Sequence, residues 1–317
     1  MATADQVMAL VASHYDRDED RFKSILLQIQ ANANNKKQQL GRRLDRFMRQ
    51  PRYNAQPLRE ILADGKVIKY NSDKKKRDLI LEADTDKSIQ RILLEYNNQE
   101  ELSKYGLAPK QKLLFQGPSG TGKTLTAWAL AGELGLPLCV VNQAAMFDSY
   151  VGSTSKNLDK LFEQITLFRG VYLIDEFDSL GLARDTDTSA ASKEIHRALN
   201  TFLQLIEGSL GASIIIATTN RSDLLDPALM RRFDDIVHYP LPSPSSCCLL
   251  VDHLLAKYPY PNTQIDVQHV SRFASSISHA LIELAFVEAL KHCILQDVCL
   301  STSCLYHYLQ QIEHRNE

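Results

Sequence analysis

The octapeptide Gly117-Pro118-Ser119-Gly120-Thr121-Gly122-Lys123-Thr124 limits what this chain can fold into more than any other stretch. An apolar run, Leu113-Leu114-Phe115, leads into it, and a helix-forming run, Leu125-Thr126-Ala127-Trp128-Ala129-Leu130, leads out. The peptide therefore stands between a strand and a helix, the context a phosphate-binding loop needs. Its glycines let backbone N–H groups curl around phosphate oxygens, and the helix N-terminus adds partial positive charge. Lys123 is spaced to reach β- and γ-phosphates and Thr124 to ligate Mg²⁺. A glycine-rich turn that binds nothing is the bland alternative, and the strand-loop-helix context weighs against it. The first ligand implied is a nucleoside triphosphate.

The 317 residues are enough for about two domains, and 44% apolar with 23% charged residues is ordinary for a globular chain with a sizeable core. Hydrophobic stretches are short or broken by charge, as between Ala280 and Leu295 with Glu283, Glu288 and Lys291, so no membrane span is expected. The N-terminus carries Asp5 and no basic lead, so no secretory signal is expected. The six cysteines show no CxxC spacing, and Cys304 with His307 lacks a second pair. Reduced thiols in a cytoplasmic protein are the expectation. The net charge of −2 hides an asymmetry: from Ala31 to Ile80 there are fourteen Lys or Arg against five acids. That stretch either attracts an acidic partner such as nucleic acid or solvates a helix face and a linker.

Apolar spacing in the first fifty residues is helical: Phe22, Ile25, Leu26 and Ile29 share one face, and Leu40, Leu44 and Phe47 repeat at i, i+4, i+7. A helical module is expected over 1–50, and a basic linker over 51–77, broken by Pro51, Pro57 and Asn71-Ser72-Asp73, with a short strand at Val67-Ile68. Over 78–243, apolar runs at Leu113–Phe115, Leu138–Val141, Val171–Ile174, Ile214–Ala217 and Ile236–Tyr239 alternate with helical patterns. This is the signature of an α/β fold, a parallel sheet sandwiched by helices. Pro240, Pro242 and Pro244 then punctuate the chain, and 244–317 reads as an all-helical subdomain.

Val171-Tyr172-Leu173-Ile174-Asp175-Glu176 is an apolar strand ending in two carboxylates, downstream of the loop. Asp175 is placed to hold Mg²⁺ and Glu176 to polarise the water that attacks the γ-phosphorus. The strand Ile214–Thr219 ends at Asn220, a candidate to orient that water, and Asp226 to Asp234 follows with Arg231 and Arg232. The bland alternative for the two arginines is surface pairing with Asp234 or Asp235.

With these motifs in order, the chain resembles the AAA family of ATPases from about Asp78 to the C-terminus, and Asn220 to Asp234 is similar to that family's second region of homology. The resemblance implies ATP as the nucleotide. It also implies that Arg231 or Arg232 acts on the ATP of a neighbouring subunit, although the Pro-Gly that commonly separates such arginines is absent. Tyr150-Val151-Gly152 resembles the aromatic, hydrophobic, glycine pore loop of AAA translocases, where an aromatic grips a threaded polypeptide; a Tyr packed in its own domain is the alternative. Ser278-His279-Ala280-Leu281 lacks a sensor arginine and resembles the Gly-Ala-Asp stretch of the protein-remodelling branch. His279 itself reads as a packed or solvated histidine rather than a nucleotide contact.

The expectation from the resemblance is a Mg²⁺-dependent ATPase that assembles into a homo-oligomeric, hexameric ring and remodels or unfolds a protein substrate, with the N-terminal module choosing the partner. The alternatives are a nucleic-acid motor or loader engaging DNA or RNA through 36–77, and a module in which ATP only regulates assembly. Arg231 to Pro242 also resembles short bacterial AAA ATPases paired with a subtilisin-like serine protease.

Overall fold

Alternating burial along short apolar runs builds the centre of the protein. In the computed structural model, residues 60–61, 66–143, 153–180, 200–208, 210–221, 223, 227–274 and 276–316 are described, all of them within the unit Pro57–Glu317. The proposed N-terminal module and Tyr150-Val151-Gly152 lie outside the described residues.

The strands β1 (Glu60–Ile61), β2 (Val67–Tyr70), β3 (Lys112–Gln116), β4 (Leu138–Val141), β5 (Val171–Ile174), β6 (Ile214–Thr219) and β7 (Asp235–His238) form one sheet in the order β1-β2-β4-β5-β6-β3-β7. The last five in that order pair in parallel, with registers such as Leu113↔Ile216 and Tyr172↔Ile215. All five expected strands are present. The sheet is mixed rather than wholly parallel, because β2 pairs antiparallel with β4, Val67 opposite Val141, and β1 pairs antiparallel with β2. Part of the stretch expected as a linker therefore belongs to the sheet. Val67 is buried in the core, and this gain in burial outweighs the basic context around it.

Successive residues face opposite sides. Leu113, Phe115, Val171, Leu173, Ile214 and Ile216 meet Ile89, Ile92 and Tyr96 of helix α1 (Ala83–Asn97) and Ala127, Leu130 and Ala131 of α2 (Lys123–Leu134). Leu114, Tyr172, Ile174, Ile215 and Ala217 meet Leu158, Leu161, Phe162 and Ile165 of α3 (Ser153–Leu167), with Phe202 and Ile206. Each such fully buried side chain contributes about 1.5–3 kcal/mol. The period-two runs are thus the two faces of a sheet between helical layers, an α/β fold.

Beyond Pro242, helices α4 (Pro244–Lys257), α5 (Val267–Ala274), α6 (His279–Gln296) and α7 (Thr302–Asn316) enclose a separate core. In α6 that core takes Ile282, Ala285, Phe286, Ala289, Leu290 and Cys293, a helical stripe. This subdomain is not entirely helical: β8 (Thr263–Gln264) and β9 (Leu300–Ser301) form a small parallel pair. Ser243 caps α4, its hydroxyl accepting from Ser246 N with Pro244 in the first turn, while Ser243 N donates to Glu82 Oε1 at 2.7 Å. The helical subdomain is thereby tied to the sheet domain just before α1. No described helix is long and apolar enough to cross a membrane.

Candidate functional site

Strand β3 ends at Gln116, and the chain turns through 117–122 into α2, so the loop sits at the carboxyl edge of the sheet. Two close approaches dictate its glycines. A Cβ on Gly117 would lie 2.0 Å from Tyr239 O, and one on Gly120 would lie 2.6 Å from Ser278 Oγ. Thr121 Oγ1 donates to Pro118 O at 2.8 Å, bracing the turn. The loop is packed between β7 and the start of α6, where Ala280 N donates to Gly120 O at 3.1 Å.

Lys123, only 6% exposed, donates from Nζ to Gly117 O at 2.8 Å, Pro118 O at 2.7 Å and Asn220 Oδ1 at 2.9 Å. Burial pushes its pKa down, and the negative charges of Asp175 and Asp178 oppose that shift. Thr124 Oγ1 donates to both oxygens of Asp175, at 3.1 and 3.0 Å. Asp175 and Glu176 follow β5, as expected. Thr218, near the end of β6, joins the pair: its hydroxyl donates to the Asp175 carboxylate and accepts from Glu176 N at 3.0 Å. Gln143 Nε2 donates to the Asp175 carbonyl oxygen. Glu176 itself has φ 53°, one of two described non-glycine residues with positive φ, the other being Asp297. A left-handed glutamate is a sparsely populated state, held here between the strand end and Thr218.

These residues line one cleft of about 550 Å³. Ser119 to Thr124, Asp175, Glu176, Thr218 and Asn220 form its polar end. Ile80, Leu81, Leu250, Leu254, His253 and His279 form the other, contributed by the segment before α1 and by the helical subdomain. The sequence motifs supplied the polar end except for Thr218, whose signal was a hydroxyl late in an otherwise apolar strand. Of the opposite wall the sequence singles out only His279, in the Ser278-His279-Ala280-Leu281 stretch, and the remaining residues carry no motif.

Arg231 and Arg232 are not in the described lining of this cleft. Arg231 is exposed and makes no ion pair among the described residues, whereas Arg232 Nε meets Glu207 Oε1 at 2.6 Å. The alternative reading, surface pairing with Asp234 or Asp235, is not seen among the described residues. Asp234 Oδ2 accepts from Gln111 N at 2.8 Å and Lys112 N at 2.9 Å, and Asp235 pairs with Lys110 at 2.6 Å. Both acids serve the edge of the sheet instead.

The donor set suits Mg²⁺: a hydroxyl and a carboxylate, both hard oxygen ligands, stand side by side at the loop, and this ion usually takes one or two protein oxygens with substrate phosphates and water completing its shell.

Residues 113–241 match the family model described as ATPase family associated with various cellular activities, AAA. An uncharacterized AAA family ATPase of Sinorhizobium fredii is 31% identical over 307 residues, covering 93% of this chain and 91% of that protein. A proteasome-activating nucleotidase of Thermococcus onnurineus is 35% identical over 50% of this chain and 42% of its own length. An ATP-dependent zinc metalloprotease FtsH of Acidimicrobium ferrooxidans is 35% identical over 52% of this chain and 26% of its own length. The chain thus spans less than half of these last two relatives. The crystal structure of the FIGL-1 AAA domain superposes with a TM-score of 0.60 at 20% identity, over 76% of this chain and 85% of that one, a likeness of fold.

Proposed function

The chain belongs to the AAA family and is an ATPase, and we propose that it works as one subunit of a homo-oligomeric, hexameric ring that couples Mg²⁺-dependent ATP hydrolysis to remodelling or unfolding of a protein substrate. The observation that carries the chemistry is the convergence of Lys123, Thr124, Asp175, Glu176 and Asn220 on one cleft. Phosphate oxygens offer Lys123 stronger acceptors than the neutral carbonyls it now meets, and the loop amides and helix N-terminus complement the same charge. Thr124 and Asp175 would hold Mg²⁺, which when bound neutralises β- and γ-phosphate charge. Glu176 takes the proton of the attacking water, and Asn220, fixed by Lys123, orients that water. Thr218 holds the Asp175 carboxylate and the Glu176 backbone from behind.

Arg231, exposed and without an ion pair among the described residues, supports a role on the neighbouring subunit's nucleotide, whereas Arg232 meets Glu207. An arginine given in trans is worth about 10³ to 10⁵ in rate. The protein-substrate reading draws on the proteasomal and protease relatives and on Tyr150-Val151-Gly152. Residues 1–50 choose the partner, and Arg231 to Pro242 favours delivery to a subtilisin-like serine protease. Against nucleic acid, Lys75 Nζ donates to Gly132 O at 2.5 Å and Lys76 pairs with Asp86 at 2.7 Å, so two cations of the basic run serve internal contacts.

Mixing tests the assembly. Arg231→Ala and Lys123→Ala subunits are each expected to be inactive, and mixed rings to regain ATPase activity where an intact loop faces an intact arginine. Mixed rings without recovery would count against the trans arrangement. Tyr150→Ala is expected to keep ATPase activity and lose unfolding of a protein substrate; unchanged unfolding would remove the threading model.

A further inference from the structure

Two sulfurs meet where α6 ends and α7 begins, away from the nucleotide cleft. Cys293 of α6 and Cys304 of α7 have Sγ atoms 3.5 Å apart, although the two residues are eleven positions apart in the chain. The turn between them is closely specified. Asp297 takes φ 49° and ψ 44° at the C-terminus of α6, and Val298 N donates to Cys293 O at 3.0 Å. A left-handed residue at that point ends the helix and reverses the chain. Strand β9 then pairs with β8, and Cys304 N donates to Ser301 Oγ at 3.2 Å in the first turn of α7. Backbone contacts that do not involve sulfur therefore bring the thiols together.

The pair is asymmetric. Cys293 is fully buried in the core of the helical subdomain and donates from Sγ to Cys299 O at 3.5 Å. Burial, reinforced by the contact with Cys304, pushes its thiol up to about 11. Cys304 is half-buried and is the member of the pair nearer to solvent. A cysteine that only fills space needs no second sulfur: Cys247 packs in the same core with its thiol on Pro242 O. Among the described residues no three metal-ligating side chains converge, so the two sulfurs belong to no metal centre built from them.

We propose that Cys293 and Cys304 are a redox-sensitive modification site, at which a peroxide converts the two thiols into a reversible disulfide between α6 and α7. The Cys304 thiolate attacks one peroxide oxygen, the O–O bond breaks, and the leaving oxygen departs as water with the proton that the thiol released. The Cys304 sulfur is thereby oxidised by two electrons to a sulfenic acid, and the peroxide is reduced by two. The Cys293 sulfur then attacks the Cys304 sulfur, the S–S bond forms as the S–O bond breaks, and the hydroxyl leaves as water with the Cys293 proton. Two thiols and one hydrogen peroxide thus give one disulfide and two waters. A dithiol reverses the change by exchange, which suits a transient, sensing bond rather than a permanent staple.

Oxidation of the folded full chain with hydrogen peroxide, followed by alkylation of the remaining thiols in denaturant and peptide mass mapping, reads the pair without any variant. A Cys293–Cys304 cross-link is expected, and dithiothreitol is expected to return both thiols. Oxidation that leaves both thiols open to alkylation, or that joins Cys304 to Cys299 instead, overturns the proposal. Cys293→Ser then removes the second thiol alone. Its Cys304 is expected to retain the sulfenic acid and to take up severalfold more dimedone, a sulfenic-acid trap, than Cys304 of the unmutated protein. Equal uptake in the two proteins would show that Cys293 does not react with oxidised Cys304, and that result also overturns the proposal.

Discussion

The two ends of the nucleotide cleft are built on opposite terms. At the phosphate end the protein satisfies itself: Lys123 has three oxygen acceptors, Thr124 and Thr218 both hold Asp175, and Glu176 N is bonded to Thr218. At the other end Ile80, Leu81, Leu250 and Leu254 stand beside His253, Lys257 and Glu283, and the ring nitrogens of His279 have no hydrogen-bond partner among the described residues. Preorganised polar groups stabilise charge that develops in a transition state without reorganising. A wall of apolar side chains with a few polar groups instead holds a ligand by shape. On the proposed function, rate would depend on the sheet edge and binding on the helical subdomain as well.

The contrast breaks most decisively at Glu176. Glu176→Gln keeps the side-chain shape and removes the base, so kcat for ATP hydrolysis is expected to fall by about 10² to 10⁴ while the dissociation constant for ATP stays near that of the unmutated protein. A steady-state ATPase assay beside calorimetry reads both, and near-normal turnover would refute the assignment. Lys123→Ala comes next. It removes the cation at the loop and deprives Asn220 of its partner, so ATP affinity is expected to drop about 100-fold. Tripolyphosphate should lose as much as ATP.

Thr218→Val sharpens the same end by a smaller step. The side chain is 2% exposed, and valine keeps its shape while removing the hydroxyl between Asp175 and Glu176 N. Leaving that amide unpaired is expected to cost about 1–3 kcal/mol of stability. Loosening the left-handed turn at Glu176 should also lower kcat more than it raises KM, as expected of a positioning residue. A thermal melt and a Michaelis series measure the two parts. A change in KM alone would place Thr218 in binding rather than positioning.

How much of this was legible follows from the range of the interactions. The loop, the strand ending in Asp175-Glu176 and the period-two runs are local patterns, and each reappears as an element facing the cleft. Thr218 was hidden because its role depends on β6 lying beside β5, and no spacing within the strand reports that neighbour. The antiparallel addition of β2 was only half visible. Val67-Ile68 read as a short strand, but its pairing with β4 crosses about seventy residues of chain. Asp234 and Asp235 serve the start of β3, through the N–H groups of Gln111 and Lys112 and the ammonium of Lys110, partners more than a hundred residues away that no local pattern reports. His279 reads in the sequence as a packed or solvated histidine, and its half-buried ring with both nitrogens shielded is in keeping with packing.

The smallest expected effect concerns that histidine and acid. Its pKa in the folded chain lies below the ordinary 6.5, chiefly through burial. As pH falls below about 6.5, the unfolded chain takes up a proton that the folded chain still refuses. Stability should then decline with falling pH until the folded-state pKa is reached, by at most about 1.4 kcal/mol per pH unit. Glu82 also has a lowered pKa, its hydrogen bonds from Ser246 and Ser243 outweighing burial, but its contribution is present above the unfolded value of 4.5 and is lost only as pH falls below that. The two windows therefore separate. His279→Asn removes the titrating group and keeps the polarity, so it should flatten the stability profile just below pH 6.5 and leave the steeper loss in stronger acid. Denaturant melts between pH 7 and pH 4 would show this as two profiles that diverge only in the upper window. Superimposable profiles would mean that the imidazole is not held neutral by the fold, and the contrast between the two ends of the cleft would lose its electrostatic half.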